Sequence, residues 1–450
     1  MDMDRQQATG GADAAQDQAQ ITCKFVTKLP ADFKVPAAPV AVPATTTRLG
    51  LSQIVNTLRT PKRAQAFDFL VNGELVRSSL EAILLANKIS AESVLEVEYL
   101  LAVVPPQPEK ELPHDDWVSA VDGSRPSMLI SGSCDGRLYL WSASGLNLGA
   151  MQLHSGSITA LQAIPGPASL LLSAGKDHVA RVSHVPQLRN TASSKTVQTS
   201  ASEVEVKGVF RGHTDAVECL AAAPSGASFC SGSWDACINL WQTQGAPEAG
   251  QEAAGGTAGR KRQKAGSTGS AAQAAPPDHE AVQRLAGHTQ CVAGVAWPTQ
   301  SRIVSCSWDH SARTWDVEAS ASVDTFNAGH ALYCLSASRE QPHAVAVAGA
   351  GKAVRLWDTR LPASSQAAGA KALKSHTEWI SAVQWHPTDP HRLLSASHDK
   401  TIKQWDVRAS VPLFTLQGHT ERVLCACWRE DGLASGGADS TLRFWDNTIP

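Results

Sequence analysis

The sequence predicts an all-β repeat array preceded by a small α+β domain. Three observations carry this prediction. The stretches SGSWDACINLW (231–241), SCSWDHSARTWD (305–316) and SASHDKTIKQWDVR (395–408) share one frame: Ser, then Asp, then Trp six residues after the Asp. A His stands 26–29 residues before each Trp position, at 114, 154, 213, 288, 330, 376 and 419. Residues 20–100 lie outside that frame and carry strand-like and helix-like apolar patterns of their own.

The chain has 450 residues, enough for two or three domains. Its 43% apolar composition suits a globular protein, and a net charge of −3 demands neither nucleic acid nor a membrane surface. No stretch approaches the ~18 consecutive apolar residues of a membrane helix. The start, MDMDRQQATGGADAAQDQAQ, lacks a basic opening and an apolar run, so it is not read as a secretory signal. Residues 1–18 are expected to be a disordered tail. The ten Cys include no CxxC pair. Cys425 and Cys427 in VLCACW fall on one face of a buried strand, and read as small buried hydrophobes in a reducing compartment.

Residues 19–100 form the first domain. ITCKFVT (21–27) alternates Ile21, Cys23 and Phe25 with polar neighbours and predicts a strand. The Pro- and Thr-rich residues 28–47 give a weak second strand. LSQIVNTL (51–58) has apolar residues at 51, 54, 55 and 58, one face of a helix. In FDFLVNGELV (67–76), Phe67, Phe69 and Val71 alternate, and Asn72-Gly73 suits a two-residue hairpin turn with φ > 0. A short helix is expected from Ser79, in SLEAILLANK. Last comes SVLEVEYL, with Leu95, Val97 and Tyr99 on one face and Glu96 and Glu98 on the other. The order β, β, α, β, β, α, β is that of a ubiquitin-like fold.

The repeats occupy 113–450. Their frame also fits Asp135/Trp141 and Asp439/Trp445. The second copy has Asp177 but Ser183 in place of Trp, and the fifth has Gly351 in place of Asp but keeps Trp357-Asp358. This pattern resembles the WD40 repeat, whose ~40–45 residues make one four-stranded propeller blade. Seven copies imply a seven-bladed β-propeller, because a single blade must stack on neighbours to bury both faces. The resemblance implies a hydrogen-bonded tetrad in each complete blade: His213, Ser231, Asp235 and Trp241; His288, Ser305, Asp309 and Trp315; His376, Ser395, Asp399 and Trp405; His419, Ser435, Asp439 and Trp445. These sets are structural rather than catalytic, since their spacing serves the blade. The fifth blade lacks the tetrad Asp and Ser and is expected to be the least rigid.

Two features interrupt the repeat. The sequence ends shortly after Trp445, which leaves the seventh blade short of its outer strand. Propellers of this kind often close with an N-terminal strand. The donor is expected in LLAVVPP (100–106), with Pro105 and Pro106 ending it, or else these residues belong to the first domain; 101–112 is read as a linker or closing strand. Separately, Trp241 and Trp315 are 74 residues apart against 40–48 for the later pairs. The excess, 245–280, is rich in Ala, Gly and Gln and reads as a disordered loop. Its basic cluster, Arg260, Lys261, Arg262 and Lys264, suits nuclear import or an RNA phosphate patch; as a bare charge pattern it is also a solubilising island.

FDFLVNGELVRSSL, GLSQIVNTL and PHDDWVSAV (113–121) together resemble the WD-repeat ribosome-assembly factors with a Notchless-like N-terminal domain. Seven repeats and a basic insertion after the third favour the branch that partners block-of-proliferation and pescadillo proteins. The resemblance implies a non-enzymatic scaffold of the nucleolus and nucleoplasm, without cofactor, acting on pre-60S particles and the maturation of their rRNA. It implies a propeller docked on a block-of-proliferation-type propeller protein in a complex with a pescadillo-type protein. It also implies a ubiquitin-like domain gripped by a midasin-type AAA+ ATPase, with a domain carboxylate completing the coordination of a Mg²⁺ that the ATPase holds. The matching loop here is KISAES, so the implied ligand is Glu92; from its own surroundings in the sequence Glu92 is an ordinary surface acid. Direct contact with RNA is left open.

Two other classes compete. Trp357-Asp358-Thr359-Arg360 and Trp405-Asp406-Val407-Arg408 resemble the WDxR motifs by which substrate receptors engage cullin-type ubiquitin ligases. For an enzyme, no Gly-rich phosphate loop, nucleophile elbow or metal-ligand cluster is present in the sequence.

Overall fold

The computed structural model describes residues 19–59, 64–90, 93–103, 105–166, 169–186, 203–243, 276–361 and 371–446. The chain divides into two compact units, Met1–Val104 and Pro105–Pro450. No helix among the described residues is long and apolar enough to cross a membrane. The tail at 1–18 lies outside the described residues.

The first unit contains β1 (Gln20–Val26), β2 (Val40–Pro43), α1 (Arg48–Arg59), β3 (Phe67–Val71), β4 (Glu74–Leu75), α2 (Leu80–Asn87) and β5 (Leu95–Leu101). Its sheet runs β2-β1-β5-β3-β4, with β1 and β5 parallel at the centre. This is the ubiquitin-like arrangement. Ile21, Cys23 and Phe25 of β1 meet Leu95, Val97 and Tyr99 of β5 in one core, closed by Leu51 and Val55 of α1. The Asn72-Gly73 turn has φ 49° and 80°, the two positive values a tight hairpin needs. Ser79 caps α2 by accepting from the Ala82 N–H. The Tyr99 hydroxyl donates to the Phe33 carbonyl at 2.7 Å and accepts from the Val35 N–H, which anchors the irregular stretch before β2. One detail departs from the sequence pattern. β3 is buried on both faces, and Asp68 on the second face is ion-paired with Arg48 at 2.6 Å.

The second unit consists of seven sheets, each built on four antiparallel strands, with a fifth, parallel strand added to the second. The seventh closes with β6 (Gln107–Pro113), which pairs antiparallel with Thr441–Asp446 in the register Leu442↔Leu112. The expected donor at 100–106 is therefore corrected. Residues up to Leu101 belong to β5, and the closing strand starts after Pro105-Pro106 instead of ending there. The repeat unit thus begins ahead of residue 113. β6 was hard to read because Leu112 is its only buried residue, so it carries no apolar alternation. As an outermost strand it also tolerates Pro108 and Pro113.

The insertion needs a second correction. Asp278–His279 adds a short parallel strand to the outer edge of the second blade, with Val209↔Asp278 and Phe210↔His279 paired. The His279 ring stacks on Phe210 at 4.8 Å, and Arg211 pairs with Asp278 at 3.1 Å. The end of the span expected as disordered loop is thus ordered. Residues 244–275, including Arg260, Lys261, Arg262 and Lys264, lie outside the described residues.

The blades are stitched at their innermost strands. Each of these strands breaks register near its start, between Val118/Ala120, Ile158/Ala160, Val217/Cys219, Val292/Gly294, Leu332/Cys334, Ile380/Ala382 and Val423/Cys425. At six of the seven breaks the carbonyl of the first residue faces a donor of the preceding blade. Ser119, Thr159 and Ser381 donate hydroxyls to the carbonyls of Ile158, Val217 and Val423, at 2.5, 2.5 and 2.6 Å. Cys219 and Cys425 donate thiols to Val292 and Val118, at 3.3 and 3.5 Å, and the Cys334 thiol lies between the Ala348 carbonyl of its own blade at 3.7 Å and that of Ile380 at 3.8 Å. Among the described residues the step from the fourth blade to the fifth shows no such donor, because Ala293 and Gly294 stand at the two donor positions.

Candidate functional site

Four blades carry the complete predicted tetrad. In the sixth, Trp405 Nε1–H donates to Ser395 Oγ at 2.8 Å, Ser395 lies 2.7 Å from His376 Nε2, and His376 Nδ1 lies 2.8 Å from Asp399. A carboxylate only accepts, so Nδ1 carries the proton and Nε2 accepts from the serine. His213/Asp235, His288/Asp309 and His419/Asp439 repeat this geometry at 2.8–2.9 Å. Burial pushes the pKa values of His288, His376 and His419 down, so these imidazoles are neutral near pH 7. Burial pushes Asp309 the other way, but the hydrogen bonds from Ser311 and His288 prevail and hold it at about 2.

The other three blades deviate. In the first, His114 bonds Ser131 at 2.8 Å, but its Nδ1 faces the Leu112 carbonyl rather than Asp135, and burial lowers its pKa to about 4. In the second, His154, Ser173 and Asp177 are linked, while the Ser183 hydroxyl at the Trp position is buried without a partner. In the fifth, Val347 replaces the serine, and Trp357 Nε1 is buried without a partner. Each tetrad is enclosed and sits inside its blade, so it forms a scaffold rather than a reaction site.

The scaffold nevertheless fixes a surface. Antiparallel blades place the turn between the second and third strands at the same end as the entry to the first strand. On that end of the propeller, Trp234 and Trp308 lie 5.1 Å apart, Trp308 and Tyr333 6.2 Å, Tyr333 and Trp379 5.6 Å, and Trp379 and His398 5.9 Å. The Arg422 guanidinium stands over the Trp117 ring at 5.3 Å and completes the arc. Trp117, Trp234 and Trp379 remain 42, 42 and 47% exposed, whereas the tetrad-position Trp141, Trp241, Trp315, Trp357, Trp405 and Trp445 are buried. Glu218 sits on the innermost strand behind the arc and accepts from Trp234 Nε1–H at 3.0 Å. Burial pushes its carboxyl up, against the indole hydrogen bond and the charge of Lys176. The exposed Trp117, Trp234 and Trp379 and the half-buried Trp308 follow Asp116, Ser233, Glu378 and Ser307, and that position was the signal the sequence offered for this face.

Other predicted sites resolve as follows. Arg360 and Arg408 of the two WDxR segments fork onto their own Asp358 and Asp406, at 2.7 and 2.6 Å. In these pairs the motif builds the turn that follows the third strand. Cys425 and Cys427 are buried, and burial raises both thiols, Cys425 to about 12. Among the described residues no group of three or more His, Cys, Asp or Glu is placed to hold a metal. Glu92, between α2 and β5, lies outside the described residues.

Residues 21–84 match the model of the NLE (NUC135) domain. Residues 106–142, 204–242, 279–316, 370–406 and 410–446 match that of the WD domain, G-beta repeat; these ranges pass over the second and fifth blades, the two whose sequence departs from the repeat. The chain is 41% identical to the "Ribosome biogenesis protein WDR12 homolog" of Chlamydomonas reinhardtii, over 96% of this chain and 98% of that one. It is 40% identical to the homologue of the same name from Oryza sativa subsp. japonica, with the same coverage. It is 31% identical to "Ribosome biogenesis protein YTM1" of Meyerozyma guilliermondii, over 95% of both.

Proposed function

The chain belongs to the family of WDR12 and YTM1 ribosome biogenesis proteins, and on that footing we propose that it is a non-enzymatic scaffold for assembly of the large ribosomal subunit. One observation supports this most: the similarity runs through the ubiquitin-like unit and the propeller together, over nearly the full length of each relative. The propeller is the binding part. Its closed ring and buried tetrads make a stiff platform, and a stiff platform loses little entropy when it docks. The partner in this reading is a block-of-proliferation-type propeller protein, in a complex with a pescadillo-type protein, in the nucleolus and nucleoplasm.

The ubiquitin-like unit is the handle. Glu92 supplies a carboxylate to the Mg²⁺ held by a midasin-type AAA+ ATPase, which then removes the chain from the pre-60S particle. The test is purification of tagged wild type and Glu92→Ala from growing cells. The reading expects more of the variant than of the wild type to sediment with large-subunit precursors. Equal sedimentation of the two would remove Glu92 from the release step.

A further inference from the structure

We propose that the aromatic arc running from Trp234 to Trp117, with Glu218 behind it, receives the arginine or lysine side chains of an extended basic protein segment. The proposal rests on the reading that the propeller is the binding part of the chain.

The first argument is shape and chemistry. Tryptophans spaced 5–6 Å from their aromatic neighbours, tilted rather than stacked on them, stay 42–47% exposed to solvent. Ring faces attract cations, and tryptophan does so best. The structure already contains one such contact on this face, Arg422 over Trp117. Four further aromatic rings of the arc, Trp234, Trp308, Tyr333 and Trp379, have no cation over them among the described residues.

The second argument is charge. Two lysines in the turns at this end of the propeller are engaged by the chain itself, and a third, Lys176, is exposed near Glu218. Lys352 faces Glu378 at 3.8 Å, and Lys400 bonds the Thr420 carbonyl at 2.6 Å beside Glu421. By contrast Asp116, Asp215 and Glu218 form no ion pair among the described residues. The face therefore presents aromatic rings backed by the carboxylates of Asp116, Asp215 and Glu218, of which Glu218 has the charge of Lys176 near it. Nucleic acid would also stack on the rings, but its phosphates would meet those carboxylates. A basic protein segment satisfies both features.

The test is fluorescence anisotropy with the purified full-length chain and a labelled nine-residue Gly-Arg repeat peptide. A Gly-Gln repeat and a nine-nucleotide oligouridylate serve as comparison probes. Saturable binding of the Arg peptide is expected, with at least tenfold weaker binding of the Gln peptide. Trp379→Ala and Glu218→Gln should each weaken Arg-peptide binding about tenfold, while their melting temperatures show that both fold. Undiminished binding in both variants would overturn the proposal, and so would oligouridylate binding as tightly as the Arg peptide. If replacing Arg260, Lys261, Arg262 and Lys264 by Ala raised affinity for added peptide tenfold, the occupant would be the chain's own segment and the proposal would fail. None of these outcomes depends on whether the chain enters pre-60S particles, which the Glu92 experiment decides separately.

Discussion

Leu442, in the last described strand, and Leu112, just before the first blade, are register partners in a single sheet. Their pairing joins the two ends of the propeller and turns an open stack of blades into a ring. It also covers the edge of Thr441–Asp446, which would otherwise invite pairing with other chains.

Leu112→Ala should therefore cost about 2–4 kcal/mol, in the usual range for a buried leucine truncated to alanine. The more telling result is where protection is lost. Native-state hydrogen exchange should show Gln107–Pro113 and Thr441–Asp446 opening together, with the ubiquitin-like unit unaffected.

The tetrads predict a contrast between two serines. Ser395→Ala strips both His376 and Trp405 of a buried partner. It should cost about 2–4 kcal/mol, since each orphaned group forfeits roughly 1–3 kcal/mol. Ser183→Ala removes a hydroxyl that already lacks a partner. It should be neutral or stabilising by up to about 1 kcal/mol. Urea titration of the two variants measures both.

The seam between the fourth and fifth blades offers a gain. Ala293 stands where Ser119, Thr159 and Ser381 stand in their blades, and the position equivalent to their acceptors Ile158, Val217 and Val423 is Leu332. Ala293→Ser should add the missing hydrogen bond and stabilise the chain by about 0.5–1.5 kcal/mol. Thermal melts should show a higher midpoint, and protection should rise in the fifth blade.

Acid should loosen the ring in a defined window. Burial lowers His114 to about 4 in the folded chain, against about 6.5 when unfolded. The unfolded chain therefore takes up a proton that the folded one refuses. This contribution is complete above pH ~6.5 and declines by about 1.4 kcal/mol per pH unit as pH falls toward 4. His154, His288, His376 and His419 shift in the same direction and steepen the fall. Asp309, held at about 2, adds a further loss only below pH ~4. Urea midpoints taken from pH 7.5 to 5 should drop, and His114→Gln should flatten the slope by about one proton.

Much of this was legible in the sequence because the repeat writes the same chemistry many times. The frame of His, Ser, Asp and Trp placed all four complete tetrads, and Asn72-Gly73 located the hairpin of the first unit. Three things were hidden. β6 is an exposed edge strand, so QPEKELP carried no apolar signal. Asp278–His279 is a two-residue strand held by its neighbours Phe210 and Arg211, which local sequence does not reveal. The aromatic arc gathers residues from separate blades, so no window of sequence contains it. The buried thiols held a subtler message: Cys219 and Cys425 are hydrogen-bond donors between blades as well as small hydrophobes.

The most direct test of the whole account is affinity purification of the tagged full-length chain followed by sequencing of the RNA that comes with it. The account predicts enrichment of large-subunit rRNA precursors over a mock purification. Recovery of a ubiquitin-ligase adaptor with no pre-ribosomal RNA would contradict the scaffold reading, and would leave the propeller standing with a different task.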